Sequence, residues 1–524
     1  MKLESSRLSQ IVLLLLMLTS LLLHFNVFSK DLVGFHVWRQ TQTQNTSISF
    51  AEEDANILNP RRNERGNSDG IFRMEFPLSQ WIASVGIRIF SNDVLVSRIL
   101  NFFLSLLSFL GIYKLLRTLK ATEFQSVAVS AFFLFAPVLY YHSLNPMPDN
   151  LALCFSIWGL RWIMIWYYQG GKTKLILGAV IIALASLVKL PFIIYYLIIF
   201  LLVLFNRTEK DSYRTLFGKL SILFLSLIPV IAWYAWVIPQ WEGNGIVSGI
   251  TNMNSEQRSN FLYYCFYHIR ATLPELLVGF PVIPLLIMGI WMGLKNWKQY
   301  SLLKWTLLLC LLLLSGLMVF EMNMIEKVHD YYFMPFLPLL ALILFIGVKH
   351  LTRPGQKLNF RKVVLVVIII SMPVYSYFRI QPRWEQSGFN PDLLKYKTEL
   401  RAIVPDNALV LAGNDVSHHI FLYYIGKKGW VFENNWTNDQ KIRKMTEEGC
   451  RYMFCDSRHV DQNPRIKELF GTKLAEYGSI YVYELKLPKS NNKVDITENN
   501  YHEENCSDLC NCLAANGFVC SRAH

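Results

Sequence analysis

Glu75 in RMEFPLSQW, Asp149 in NPMPDN, Lys189 in VKLPF and the pair His329–Asp330 in EMNMIEKVHDYY are ionisable residues set against long apolar runs. A carboxylate can take the proton from an attacking hydroxyl. Lys or Arg can stabilise a phosphate leaving group as negative charge develops on it. Lys189 is the first candidate cation, with Arg39 and Arg73 beside it. These residue types suit transfer of a group from a lipid phosphate to a hydroxyl, and an apolar surround strengthens the electrostatics by excluding water. Any one of them alone is as readily an interfacial anchor. Glu75, Asp149, His329 and Asp330 also have the donor atoms for a divalent metal, but no compact motif such as HExxH accompanies them. The metal site is therefore unknown: no cofactor is certain, and a divalent metal stays an open alternative.

The elements that must position these residues are membrane helices. Hydrophobic residues make up 53% of the 524-residue chain and charged residues 17%, against about 25% charged in soluble domains. Runs near the roughly 20 residues needed to cross a bilayer occur at Ile11–Ser29, Val94–Leu116, Phe124–His142, Leu151–Tyr168, Gly218–Val237, Leu276–Leu294, Leu302–Phe320, Tyr332–Val348 and Val363–Phe378. The stretch Leu175–Phe205 is too long for one span and reads as two short helices meeting at Lys189 and Pro191, both of which disfavour continuous helix in lipid. The expectation is a multi-pass α-helical membrane protein of about eleven transmembrane helices.

Charge sets the orientation. The net charge of +13 invites a nucleic-acid reading. Its Lys and Arg instead fall mostly in short alternate loops: Lys114–Lys120, Lys172–Lys174, Arg207–Lys219, Lys295–Lys304 and Lys349–Lys362. That is the positive-inside pattern, and it excludes nucleic acid as a partner. With the N-terminus in the cytoplasm, the candidate residues gather on the outer face, two of them beside prolines. A long first outer loop covers 30–93, and within it Phe76–Phe90 is amphipathic and suited to the interface plane. No internal repeat of the kind found in many transporters is visible.

The membrane part spans 1–378, followed by a soluble extracytoplasmic domain at 379–488. Strand-like ALVLAG, GWVF, RYMFCD and SIYVYELK alternate with helical stretches, which predicts a small α/β fold. No Gly-rich phosphate loop follows its first strand. His418–His419 reads as a surface or helix-start pair. The tail at 489–524 is polar and Cys-rich, with Cys506, Cys510, Cys512 and Cys520. If it lies outside the cytoplasm, disulfides within it or to Cys450 and Cys455 are expected.

WRQTQT at Trp38–Thr43, NILNPR at Asn56–Arg61, EFPL at Glu75–Leu78, PMPDNLAL at Pro146–Leu153, VKLPF at Val188–Phe192 and HDYYFMPFLPLLAL at His329–Leu342 follow one another in that order. Together they resemble the GT-C membrane glycosyltransferases, in particular the bacterial group similar to protein O-mannosyltransferases and lipid A aminoarabinose transferases. The resemblance runs over roughly Ile11–Leu485. It implies a polyprenyl-phosphate sugar donor, an extracytoplasmic active site, a multi-pass protein of the cytoplasmic membrane and inversion at the sugar carbon. Trp38, Gln42, His329, Asp330 and Tyr331 become the expected substrate contacts. Such enzymes usually carry an acid in the first outer loop, and the matching position in WRQTQT is Gln42, an amide that cannot take a proton. Asp31, Glu52, Glu53 and Asp54 are nearby alternatives between which spacing does not choose; Glu75 or Asp149 is favoured as the base.

The expected function is thus membrane glycosyl transfer from a polyprenyl-phosphate sugar to a hydroxyl of an extracytoplasmic glycan, lipid or protein, in contact with membrane lipids. The rival is a non-catalytic transporter or flippase of a lipid-linked or polar solute, favoured by Gln42. A third reading is an inactive relative serving as an assembly scaffold.

Overall fold

The computed structural model describes residues 2–91, 93–205, 213–241, 249–295, 301–352, 358–385, 388–435 and 437–486. The Cys-rich tail lies outside the described residues, as do Arg207 and Lys210, Lys298, and Arg353 and Lys357 of the basic loops. The chain forms two compact units, one of residues 1–31 and 73–384 and the other of 32–72 and 385–524. The first outer loop is thus shared between them.

The first unit is helical: α1 (Lys2–Phe28), α3 (Leu78–Phe90), α4 (Asp93–Thr118), α5 (Glu123–Leu134), α6 (Pro137–His142), α7 (Pro148–Gln169), α8 (Lys172–Val188), α9 (Ile194–Phe205), α10 (Tyr213–Val237) and further helices down to Glu385. Among the described residues six helices are long and apolar enough to cross a membrane, and a pair bent by 91°, Ser255–Val278 with Phe280–Lys295, would make a seventh. Shorter apolar helices lie at Glu123–Leu134, Leu190–Phe205 and Thr306–Phe320. The run Phe124–His142 is divided where Pro137 starts α6, since its ring leaves the carbonyl four residues before it without a donor.

Two positions set the site's geometry. α8 stops at Val188; Lys189 is extended (φ −150°, ψ 109°) and a 3-10 turn at Leu190–Ile193 leads into α9. Pro191 lacks the N–H a continuous helix would need. α7 and α8 pack closely through glycine: a Cβ on Gly159 would stand 2.4 Å from Ile182 Cγ1, and one on Gly178 2.4 Å from Ile163 Cδ1. Without a hydrophobic drive between helices in lipid, such close backbone approach supplies the packing.

The second unit carries a five-stranded sheet of β1 (Leu409–Gly413), β2 (Lys428–Phe432), β3 (Tyr452–Cys455), β4 (Phe470–Tyr477) and β5 (Ile480–Leu485) in the order β2-β1-β3-β5-β4. β1 runs parallel to β2 and β3, while β5 is antiparallel to β3 and β4. Leu411, Phe432, Ile442, Met453 and Val460 form its core. Cys450 and Cys455 are free thiols wholly buried in that core, which pushes both up to about 12. Both pack within that core, and the tail cysteines lie outside the described residues.

A segment of the first loop covers the β2 edge. Arg65 and Gly66 both donate their N–H to the Gly429 carbonyl at 2.9 Å, and Gly429 N–H returns to Asn63 O at 3.1 Å. The helix α2 (Val37–Glu52) belongs to this unit and buries polar residues, Arg39, Gln40, Thr41, Thr43 and Gln44 among them.

The histidine pair starts the helix Ile420–Ile425, but it is no surface pair. His419 is buried. His418 sits between two carboxylates, Nδ1 at 2.7 Å from Glu64 and Nε2 at 3.0 Å from Glu433. Burial pulls its pKa down, but Glu433 and Glu64 more than offset this and hold it at about 10.

Candidate functional site

Asp149 occupies the first turn of α7, behind Pro148 at the first helical position. Helix N-termini favour negative charge. The carboxyl is 1% exposed, and no hydrogen-bond donor among the described residues reaches its Oδ2. The Lys189 ammonium stands 3.8 Å from that oxygen. It also lies 5.5 Å from the Tyr331 ring centroid and 5.3 Å from that of Tyr332. Lys189 therefore has a carboxylate on one side and two aromatic faces on another, all at the break between α8 and α9.

Glu75 approaches the same break through its backbone. Phe76 N–H and the Tyr234 hydroxyl both donate to the carbonyl of Leu187, two residues before Lys189. Trp233 Nε1 donates to Met74 O at 3.1 Å, and Phe76 meets the Trp233 ring edge to face at 5.0 Å. Tyr234 lies within electrostatic reach of both Glu75 and Asp149. Glu75 is half-buried, whereas Asp149 is sealed. Arg73 is held over the Trp236 ring at 4.6 Å, with Nη1 3.4 Å from Gln240 Oε1.

The HDYY residues divide. Tyr331 and Tyr332 face Lys189. Asp330 is buried between His142, whose Nε2 is 3.0 Å from Oδ1, and Arg383, whose Nη1 is 2.5 Å from Oδ2. His329 turns Nδ1 to the Met324 carbonyl. Asp330 thus joins two other chain segments, and His329 bonds within its own loop.

In the second unit, Arg39 donates to Gln42 Oε1 within α2, and the Trp38 carbonyl accepts from Thr41 Oγ1 at 2.9 Å. The alternative acids there are engaged. Burial raises the Glu53 carboxyl, but Arg65 at 2.7 Å and Lys428 at 3.1 Å more than offset it and hold it at about 2. Asp54 accepts from Asn56 N–H, Asn59 and Arg61.

Three residues escaped the sequence reading. His142 and Arg383 join Asp330 across 188 and 53 residues of chain, which no local pattern signals. Glu321 follows the apolar run of 302–320; burial pushes its carboxyl up to about 7 against the opposing pull of Lys189. Its position at the end of a span was the one available signal.

Residues 75–236, which hold Glu75, Asp149, Lys189 and the Gly159–Gly178 contact, match the family model described as dolichyl-phosphate-mannose-protein mannosyltransferase. No curated protein sequence matches the chain. Among solved structures, apo ArnT from Cupriavidus metallidurans superposes with a TM-score of 0.60 at 11% identity, covering 91% of this chain and 97% of that one. The same protein bound to undecaprenyl phosphate gives 0.57 at 13%, with the same coverage. The archaeal oligosaccharyltransferase AglB from Archaeoglobus fulgidus, in complex with an inhibitory peptide and a dolichol-phosphate, gives 0.57 at 11%, covering 85% and 69%. At such identities the likeness establishes the fold. The chain is an integral membrane protein with the fold that ArnT and AglB share. More narrowly, the family match is confined to residues 75–236, under half of the chain.

Proposed function

We propose that this protein transfers a sugar from a polyprenyl-phosphate donor to a hydroxyl of an extracytoplasmic glycan, lipid or protein, with inversion at the sugar carbon. The observation that carries the reading is the Lys189 ammonium, held between the Asp149 carboxylate and two tyrosine rings at a helix break inside the family-matched segment.

The donor phosphate takes Lys189 as its counter-ion. Asp149, sealed and facing Lys189, orients the ammonium. Glu75, half-buried beside the same break, is the base. It accepts the acceptor hydroxyl's proton as that oxygen bonds to the sugar carbon, while the carbon–phosphate-oxygen bond breaks and its electron pair leaves on the polyprenyl phosphate. Lys189 offsets the charge that develops there. Tyr331 and Tyr332 wall the ammonium from water, which strengthens its field. Arg73 serves as a further contact for the donor, and no step is routed through a metal.

The test compares the surface glycans, glycolipids and glycoproteins of cells with and without the protein by mass spectrometry. Loss of one sugar mass, restored by the wild type, supports transfer and identifies sugar and acceptor. Unchanged glycans with a lipid-linked precursor or solute displaced across the membrane would replace this reading with transport.

A further inference from the structure

The segment before the 91° bend is unlike the other apolar helices of its unit. Ser255–Tyr267 is an α-helix begun by an Asn254–Gln257 capping box, and it continues as a π-helix over His268–Val278. Arg258, Leu262, Phe266 and Arg270 recur every fourth residue and are all exposed, with Tyr263 and Ile269 beside them. Leu262 is 77% exposed and Ile269 67%. The cations lie against the rings: the Arg270 guanidinium is 6.0 Å from the Phe266 centroid, and Lys327 Nζ is 4.6 Å from that of Tyr263. Beyond the bend, Ile283–Lys295 exposes Ile287, Ile290, Trp291 and Leu294 with no charge until its last residue.

One leg therefore suits hydrocarbon and the other suits the boundary between hydrocarbon and water, where aromatic bodies and long cationic stems each find their medium. The acids nearby do not cancel the basic rim. Glu256 is half-buried, and Glu275 is paired with Arg379 at 2.8 Å. The opposite side is fastened to the protein. Gln257 Nε2 donates to Asn323 O at 3.1 Å and Glu326 Oε1 at 2.9 Å, and His268 reaches the Glu326 carbonyl and packs tilted against the Phe333 ring at 4.6 Å.

We propose that the 255–278 segment lies in the plane of the membrane interface and takes anionic phospholipid headgroups on Arg258, Arg270 and Lys327. The occupant follows from charge: an exposed apolar stripe rimmed by three cations complements a negatively charged leaflet and repels a second copy of itself. The inference depends on the protein's residence in a membrane and is independent of glycosyl transfer.

The test uses the full chain in nanodiscs of phosphatidylcholine with phosphatidylglycerol. Spin labels at 262 and 269 should report headgroup depth, and labels at 287 and 291 hydrocarbon depth. In Arg258→Gln/Arg270→Gln/Lys327→Gln, spin-labelled phosphatidylglycerol should lose its motional restriction relative to phosphatidylcholine, by about fivefold in preference per cation removed. Because these side chains are exposed, folding is retained, and the depth measurement on otherwise native protein stands whatever the triple variant does. Bulk-water accessibility at 262 and 269, dipolar coupling between labels of two copies, or equal restriction of the two lipids would each overturn the proposal.

Discussion

At the residue scale, Lys189 is the side chain on which the proposed chemistry turns. Its ammonium is placed by Asp149 at 3.8 Å, longer than a close ion pair, so it keeps capacity for a further anion. Lys189→Met should reduce retention of polyprenyl phosphate by the purified protein at least tenfold, on the order expected for a partly desolvated ion contact; native mass spectrometry reads this directly. Equal retention would place the phosphate elsewhere. Glu321 supplies a pH dependence at the same lysine. Its carboxyl is neutral below about 7 and ionised above it, so it competes with donor phosphate for Lys189 as the pH rises. Donor affinity should fall through pH 7 in the wild type and stay level in Glu321→Gln, as titration of donor binding at pH 6 and 8 would show. The lysine and Asp149 were legible in the sequence because charge and proline interrupt apolar runs. The roles of His142 and Arg383 beside Asp330 were not, because their contacts join residues distant in the chain.

At the element scale, the break between α8 and α9 and the tight α7–α8 crossing do the positioning. The break was readable, since Lys189 and Pro191 both oppose a continuous helix in lipid. The crossing was not: Gly159 and Gly178 look like any membrane glycines until Ile182 and Ile163 are seen against them. Gly178→Leu should force the helices apart at a cost of about 1–3 kcal/mol. Transfer should fall more than tenfold while the protein still inserts, because Asp149 and Lys189 sit on the two separated helices; a variant of full activity would contradict this role. β4 escaped the sequence reading because most of FGTKLAEY is exposed edge strand with two register shifts and no clean alternation. α2 escaped it because WRQTQTQNTS is polar throughout, and only tertiary packing makes that stretch a buried helix.

At the scale of the whole molecule, membrane residence and an α/β sheet were evident from composition and alternation, while the partition of the first outer loop was not. Residues 61–66 complete the edge of a sheet more than 300 positions away, held by backbone bonds and by Glu64 and Glu433 on His418. Because His418 is raised from 6.5 to about 10, the clamp contributes fully below pH 6.5 and is lost as pH climbs through 10. Hydrogen exchange of residues 61–72 should quicken between pH 7 and 10 beyond the intrinsic base-catalysed rate, and His418→Gln should abolish that excess while weakening protection at pH 6. Glu53, lowered to about 2, acts oppositely, holding above pH 4.5 and failing as pH falls toward 2.

The central claim is that Glu75, beside Lys189 and Asp149, takes the proton during sugar transfer. The most direct measurement is the glycan mass profile of cells lacking the protein and complemented, at equal membrane levels, with wild type or Glu75→Gln. The account predicts that the missing sugar mass returns with the wild type and stays absent with Glu75→Gln. Full restoration by Glu75→Gln would contradict it and move the base to Asp149.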